Sequence, residues 1–198
     1  MNTENFNSHL KDYLLRLNTC FTEEVIKKIE VLTADLITIW EKGNNIFICG
    51  NGGSAANAIH IANDLHYGLG ASINKDKKGM KVESLPANAA VITCLANDTG
   101  YENIFSHQLS VKACKEDMLI VLSGSGNSPN IVEALKESKR IGMKSYAILG
   151  FDGGKCKSLS DKFIHCSIND MLICEDIQMI IFNICFQWIV QKYKSRYI

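Results

Sequence analysis

Twice along this chain a short apolar run stops at a cluster of glycines and serines, and a helix-forming segment begins. Asn45-Ile46-Phe47-Ile48-Cys49 runs into Gly50-Asn51-Gly52-Gly53-Ser54, and Met118-Leu119-Ile120-Val121-Leu122 runs into Ser123-Gly124-Ser125-Gly126-Asn127-Ser128-Pro129. Continuous apolar runs suit strands buried on both faces, and their alternation with helical periodicity predicts a parallel sheet between two helical layers. Further strands are expected over 80–85, 144–149 and 163–167, and helices over 54–69, 88–96, 129–141 and from Met171 almost to the end. Ahead of them, Leu10, Tyr13, Leu14 and Leu17, then Val25, Ile26, Ile29, Leu32, Leu36 and Ile37, recur at helical spacing. Thr22-Glu23-Glu24-Val25 provides a cap between these two leading helices. At 198 residues, 46% of them hydrophobic, the chain suits one domain, with a helical pair over 1–43 and an α/β core over 44–198.

Lys+Arg and Asp+Glu number 21 each. No global field therefore attracts nucleic acid or a membrane surface, and an anionic ligand must be held by local features. The polar N-terminus lacks the layout of a secretory signal. The apolar stretch 179–190 is short for a bilayer span and is broken by Asn183 and Gln187. Eight cysteines form no C-x-x-C pair and lie in apolar contexts, as reduced, buried small hydrophobes would. These features predict a cytoplasmic protein.

In a parallel sheet of this kind, ligands bind beyond the carboxyl ends of the strands, where the strand order switches. Both loops fall at strand ends. Gly50, Gly52 and Gly53 let a ligand approach the backbone, and Ser54 opens a helix whose unpaired N–H groups favour an anion. A serine-capped tight turn accounts for this loop equally well. The Lys-Ser/Thr ending of a nucleotide loop is absent and the dinucleotide spacing fails, so no nucleotide is expected. The second loop offers Ser123, Ser125 and Ser128 with flexible backbone, enough donors to surround a phosphate without a Lys or Arg.

Other polar residues sit where a ligand could lie. His60 and Asp64, four apart, share a helix face and can move a proton or bind a metal. Asn97-Asp98-Thr99-Gly100-Tyr101 has the composition of a helix-ending turn. Glu175 and Gln178 are embedded in an otherwise apolar segment, where polar groups need a reason. That segment, with Met179 to Val190 apolar almost all round, is expected to be buried on every side, either inside the fold or between subunits.

The segments Gly50–Ala58, Asn97–Glu102, Ser123–Asn130 and Glu175–Gln178 together resemble the sugar-isomerase (SIS) domain family and, within it, the sedoheptulose-7-phosphate isomerases. The resemblance implies a three-layer sandwich around a five-stranded parallel sheet of flavodoxin-like order, in a homotetramer with sites at subunit interfaces. It implies interconversion of sedoheptulose 7-phosphate and D-glycero-manno-heptose 7-phosphate. Position by position, Ser54, Ser123, Ser125 and Ser128, with the backbone of Gly52, Gly53 and Gly124, would hold the phosphate. Asn51 and Asp98 would bind sugar hydroxyls, and Glu175 would belong to the same substrate- and phosphate-binding set. His60, Asp64 and Gln178 would surround the reacting carbons, where many members hold zinc.

The chain departs from the family in four places. It has Asp64 where Glu is usual and Glu175 where Asp is usual, and these swaps would compensate if the two side chains face each other. It has Gly124 in place of Thr. It has Phe186 at the position of a His that transfers a proton and binds the metal, with Asn183 and His107 as the polar groups to check as substitutes. Three readings follow: an isomerase with a shifted acid–base set, a catalytically silent phosphosugar-binding sensor, or an interaction module like those that associate with the bacterial replication initiator.

Overall fold

A computed structural model describes residues 3–194. Two antechamber helices, α1 (Thr3–Thr19) and α2 (Glu23–Lys42), precede the sheet. The second is capped at its start by the Thr22 hydroxyl, which accepts from the Val25 N–H, and at its end by Gly43 at φ +71°. The strands are β1 (Asn45–Gly50), β2 (Lys81–Ser84), β3 (Met118–Ser123), β4 (Lys144–Leu149) and β5 (Lys162–His165). All pair in parallel in the order β2-β1-β3-β4-β5, the flavodoxin-like order. Every residue of β3 is buried, as its unbroken apolar run requires.

Between the strands run α3 (Gly53–Asn63), α4 (Leu69–Ile73), α5 (Ala89–Thr99), α6 (Ser106–Lys112), α7 (Pro129–Ile141) and α8 (Cys156–Leu159). Helix α9 (Met171–Lys194) closes the chain. One apolar layer lies beneath α2, α3 and α9, and the other beneath α6 and α7. The short helices α6 and α8 were not expected from periodicity. The helix expected over 54–69 continues to Ile73 through one wide π turn, Asp64–Gly68, in which Leu69 donates to the carbonyl five residues back. The turn has a cause in tertiary packing. Met80 N–H takes the Leu65 carbonyl at 2.8 Å, and the segment carrying Gly79 lies so close that a Cβ there would fall 1.9 Å from the His66 oxygen.

Helix α9 bears on two expectations. It is 24 residues long and by length and composition could cross a membrane, but Ile173, Ile177, Ile181, Cys185 and Ile189 are buried in the core against α2 and α3. Within one chain it is not covered all round, since Ile184 and Trp188 remain 45% and 59% exposed, so of the two expected forms of burial the purely intramolecular one is not met. The packing inside one chain supplies partners for one face only. All eight cysteines are free, six of them buried as expected and Cys94 and Cys114 exposed.

Strand β1 is set in register with β3 by one buried carboxylate. Asp117 accepts from the backbone N–H of Asn45 at 2.8 Å and of Cys114 at 2.9 Å, and its own carbonyl receives the Lys144 N–H at 2.8 Å. It thus ties the starts of three strands. Removing it leaves two N–H groups without their charged acceptor, so Asp117→Ala is expected to lower unfolding free energy by about 3 kcal/mol in urea titration. Wild-type stability in that variant would show the carboxylate to be dispensable.

Candidate phosphosugar site at the switch point

The chain leaves β1 toward β2 on one side and β3 toward β4 on the other, so the loops after β1 and β3 diverge and leave a crevice. The two glycine-rich loops border that crevice. They are locked together by a reciprocal amide pair: Asn51 Nδ2 donates to Asn130 Oδ1 at 2.9 Å, and Asn130 Nδ2 donates to Asn51 Oδ1 at 2.8 Å. Asn130 is 1% exposed and also takes the Ile131 N–H. The Tyr101 hydroxyl donates to Asn51 Oδ1 at 3.0 Å. Three of the four segments singled out in the sequence therefore meet at Asn51.

In the first loop, Gly52 stands at φ +55° and a Cβ on Gly50 would lie 2.7 Å from the Ser54 backbone, so neither tolerates a side chain. Ser54 is buried and its hydroxyl accepts from Gln178 Nε2 at 3.0 Å. The fourth segment enters here: Asn57 Nδ2 donates to Gln178 Oε1 at 3.0 Å and to the Glu175 carbonyl at 2.9 Å. Gln178, also buried, is satisfied at both ends of its amide. The Glu175 carboxylate lies directly on Gly53.

The second loop folds on its own serines. Ser123 accepts from the Gly126 N–H at 3.0 Å and Ser125 from the Asn127 N–H at 3.3 Å. A hydroxyl that accepts still has its own O–H to give, so Ser54 and Ser123 remain donors. Ser125 and Ser128 are only half-buried, and Ser128 precedes α7 without capping it by its side chain. A segment without a sequence-derived role braces this loop. Gly150 N–H donates to the Gly124 carbonyl and Cys156 N–H to the Gly126 carbonyl, and a Cβ on Gly126, at φ +65°, would meet the Gly153 carbonyl at 2.1 Å. The Gly153-Gly154 pair was the available signal.

Farther along α3, His60 Nε2 stands 3.3 Å from Asp64 Oδ2, exposed at the start of the π turn. Helix α9 runs beside this element in the same direction: Glu175 meets Gly53, Gln178 meets Ser54 and Asn57, and Phe186 meets Gly68, its ring 3.6 Å from where a Cβ on that glycine would stand. Phe186 thus packs on the π turn that Asp64 opens. Asp64 and Glu175 do not face each other, being separated by about 16 Å of helix rise, so the two swaps do not compensate by contact. Asp98, exposed at the end of α5, takes Asn97 Nδ2 at 2.8 Å. His107 lies in a surface groove with Glu133, Glu137 and Arg140, outside the crevice, and Asn183 is exposed.

Among the described residues no three His, Cys, Asp or Glu side chains gather as a metal set. His60 and Asp64 offer two donors, and Gln178 is engaged with Ser54 and Asn57 nearer the start of α3. This donor set does not fit a closed four-ligand zinc site.

The amide pair predicts its own test. Asn130→Ala removes both reciprocal bonds and is expected to cost about 2 kcal/mol and to speed backbone hydrogen exchange over 50–54 and 124–128. Unchanged exchange in both loops would show that the pair does not hold them together.

The SIS domain family profile matches residues 9–150. A phosphoheptose isomerase of Helicobacter pylori (strain P12) is 38% identical over 151 residues, covering 75% of this chain and 76% of that one. A phosphoheptose isomerase of Aneurinibacillus thermoaerophilus is 37% identical over 139 residues, covering 70% and 68%. Among solved structures, a phosphoheptose isomerase from Francisella tularensis superposes with a TM-score of 0.85 at 21% identity, over 97% of this chain and 99% of that one, which speaks for the fold. With its strand order, its two joined serine-rich loops and these relatives, the chain belongs to the SIS domain family, in the group of the phosphoheptose isomerases.

Proposed function

We propose that the protein is an aldose–ketose isomerase that interconverts sedoheptulose 7-phosphate and D-glycero-manno-heptose 7-phosphate. The observation that carries this reading is the joining of the two serine-rich loops at the switch point by Asn51 and Asn130. The relatives named phosphoheptose isomerase give it the reaction. Ser125 and Ser128, with the O–H groups of Ser54 and Ser123 and the backbone of Gly52, Gly53 and Gly124, receive the phosphate. Asp98 and Tyr101 border the sugar, and Asn51 serves as frame.

The isomerisation moves a proton between adjacent carbons through an enediol. A base removes the proton beside the carbonyl, the carbonyl oxygen gains one, and the reverse steps on the neighbouring carbon give the other sugar. Asp64 is the carboxylate placed for the carbon proton, and His60, 3.3 Å from it, is placed to exchange the oxygen proton. Gln178 acts here by fixing Ser54 and Asn57. No step is routed through zinc.

Phe186 favours a second reading. Its ring packs on Gly68, at the far end of the π turn that Asp64 opens, and can neither transfer a proton nor bind a metal, so phosphosugar binding without turnover is the alternative. A homotetramer suits the uncovered apolar residues Phe6, Leu10, Leu14, Ile184 and Trp188 on α1 and α9. A reducing, cytoplasmic setting suits eight free thiols.

Incubation with sedoheptulose 7-phosphate, followed by NMR for new aldose phosphate, separates the two. Turnover that falls at least 10²-fold in Asp64→Asn, with binding retained, is expected. Saturable binding with no product in the wild-type protein would replace the isomerase by the silent binder.

A further inference from the structure

Strand β4 ends at Leu149, and the chain turns at once into the segment from Gly150 to Cys156 that braces the Ser123–Ser128 loop. The turn passes through an uncommon backbone. Phe151 stands at φ +45°, in the left-handed region, where glycine is the usual occupant and a bulky side chain is disfavoured. Among the described residues the other non-glycine with positive φ is Glu116, in the turn before β3 at the opposite end of the sheet. A residue held in this way persists only where its surroundings fix it, and such residues gather at working sites.

The group that fixes Phe151 is His165, the last residue of β5 and the register partner of Leu149. His165 Nε2 lies 3.0 Å from the Phe151 carbonyl oxygen, and Nδ1 lies 3.3 Å from Lys157 Nζ. A carbonyl only accepts and an ammonium only donates, so the ring carries its proton on Nε2 and accepts at Nδ1. On its other side Phe151 gives its N–H to the Ile168 carbonyl at 3.0 Å. With the peptide groups on both sides held, φ and ψ of Phe151 are both set. The residues that follow return to the serine loop. A Cβ on Gly153 would lie 3.4 Å from His165 Cδ2, and one on Gly154 would fall 2.5 Å from the Ser125 carbonyl oxygen. Lys155 N–H donates to Asn127 Oδ1 at 3.1 Å, and Asn127 Nδ2 donates to the Ser125 carbonyl at 3.1 Å. A short path of backbone and hydrogen bonds thus joins His165 to Ser125, one of the groups that receive the phosphate in the reading above.

We propose that His165 is a positioning residue for the phosphate loop. By holding Phe151 in its left-handed conformation it keeps Gly153, Gly154 and Lys155 against Ser125 and Asn127. This rests on the phosphosugar reading. The imidazole acts through Phe151 and not on the ligand, so a substitution that relieves Phe151 of its strain should make His165 dispensable.

Calorimetric titration of sedoheptulose 7-phosphate, with amide hydrogen exchange followed over 124–128, tests this in five proteins: wild type, His165→Ala, His165→Gln, Phe151→Gly and the double variant Phe151→Gly/His165→Ala. His165→Ala should bind the sugar phosphate about 10-fold more weakly and exchange faster over 124–128. His165→Gln, whose Nε2 can donate to the same carbonyl, should restore both. Glycine adopts the left-handed conformation without support, so adding His165→Ala to Phe151→Gly should change affinity by less than about 2-fold. Wild-type affinity and exchange in His165→Ala overturn the proposal. So does a loss of about 10-fold on adding His165→Ala to Phe151→Gly, since His165 would then act other than through Phe151. A wild-type protein that binds no sugar phosphate overturns the phosphosugar reading and the proposal with it, and the wild-type titration separates that outcome from the others.

Discussion

Two asparagine side chains hold the site together. Strands β1 and β3 are adjacent, but the loops that leave them diverge to opposite sides of the switch point, and nothing in the sheet fixes one loop against the other. The Asn51–Asn130 pair does so with two amide hydrogen bonds inside a largely buried environment, where they are electrostatically stronger than in water and where losing either partner strands the other. Tyr101 joins the pair from the end of α5, so the third segment is tied to the same point. The two serine-rich loops, the end of α5 and the start of α3 are all positioned relative to this junction.

Much of this was visible in the residues alone. Strand runs such as Met118–Leu122 are apolar on both faces because the parallel sheet is covered on both faces, and periodicity detects that directly. The loops were legible because glycine and serine stop those runs abruptly. The roles of Asn51 and Gln178 were not. As isolated residue types they are hydrogen-bonding groups near a ligand, and only the fold shows that each spends its amide on the frame. The bracing of the Ser123–Ser128 loop by Gly150–Gly154 was likewise hidden, because it depends on backbone carbonyls meeting across two strands. The π turn at Asp64–Gly68 follows from the approach of Gly79, a tertiary contact between segments whose adjacency no local pattern encodes.

Three of the four residues that depart from the family, Asp64, Glu175 and Phe186, fall along one seam, where α9 runs beside α3 and its continuation; the fourth, Gly124, lies in the loop after β3. Glu175 rests on the first residue of α3, and Phe186 packs against the turn that Asp64 opens. Because the two helices run in the same direction, their residues pair in order along the crevice, Glu175 on Gly53, Gln178 on Ser54 and Asn57, and Phe186 on Gly68. In the proposed reading the phosphate lies toward the first of these pairs and the reacting carbons toward the last, where Phe186 has no proton to transfer.

The most direct measurement is a crystal structure of the protein soaked with sedoheptulose 7-phosphate. The phosphate should lie within hydrogen-bond distance of Ser125 and Ser128 between the two joined loops, with the carbonyl end of the sugar directed along α3 toward His60 and Asp64. A sugar phosphate found elsewhere, or with its carbonyl end directed away from Asp64, would contradict the account.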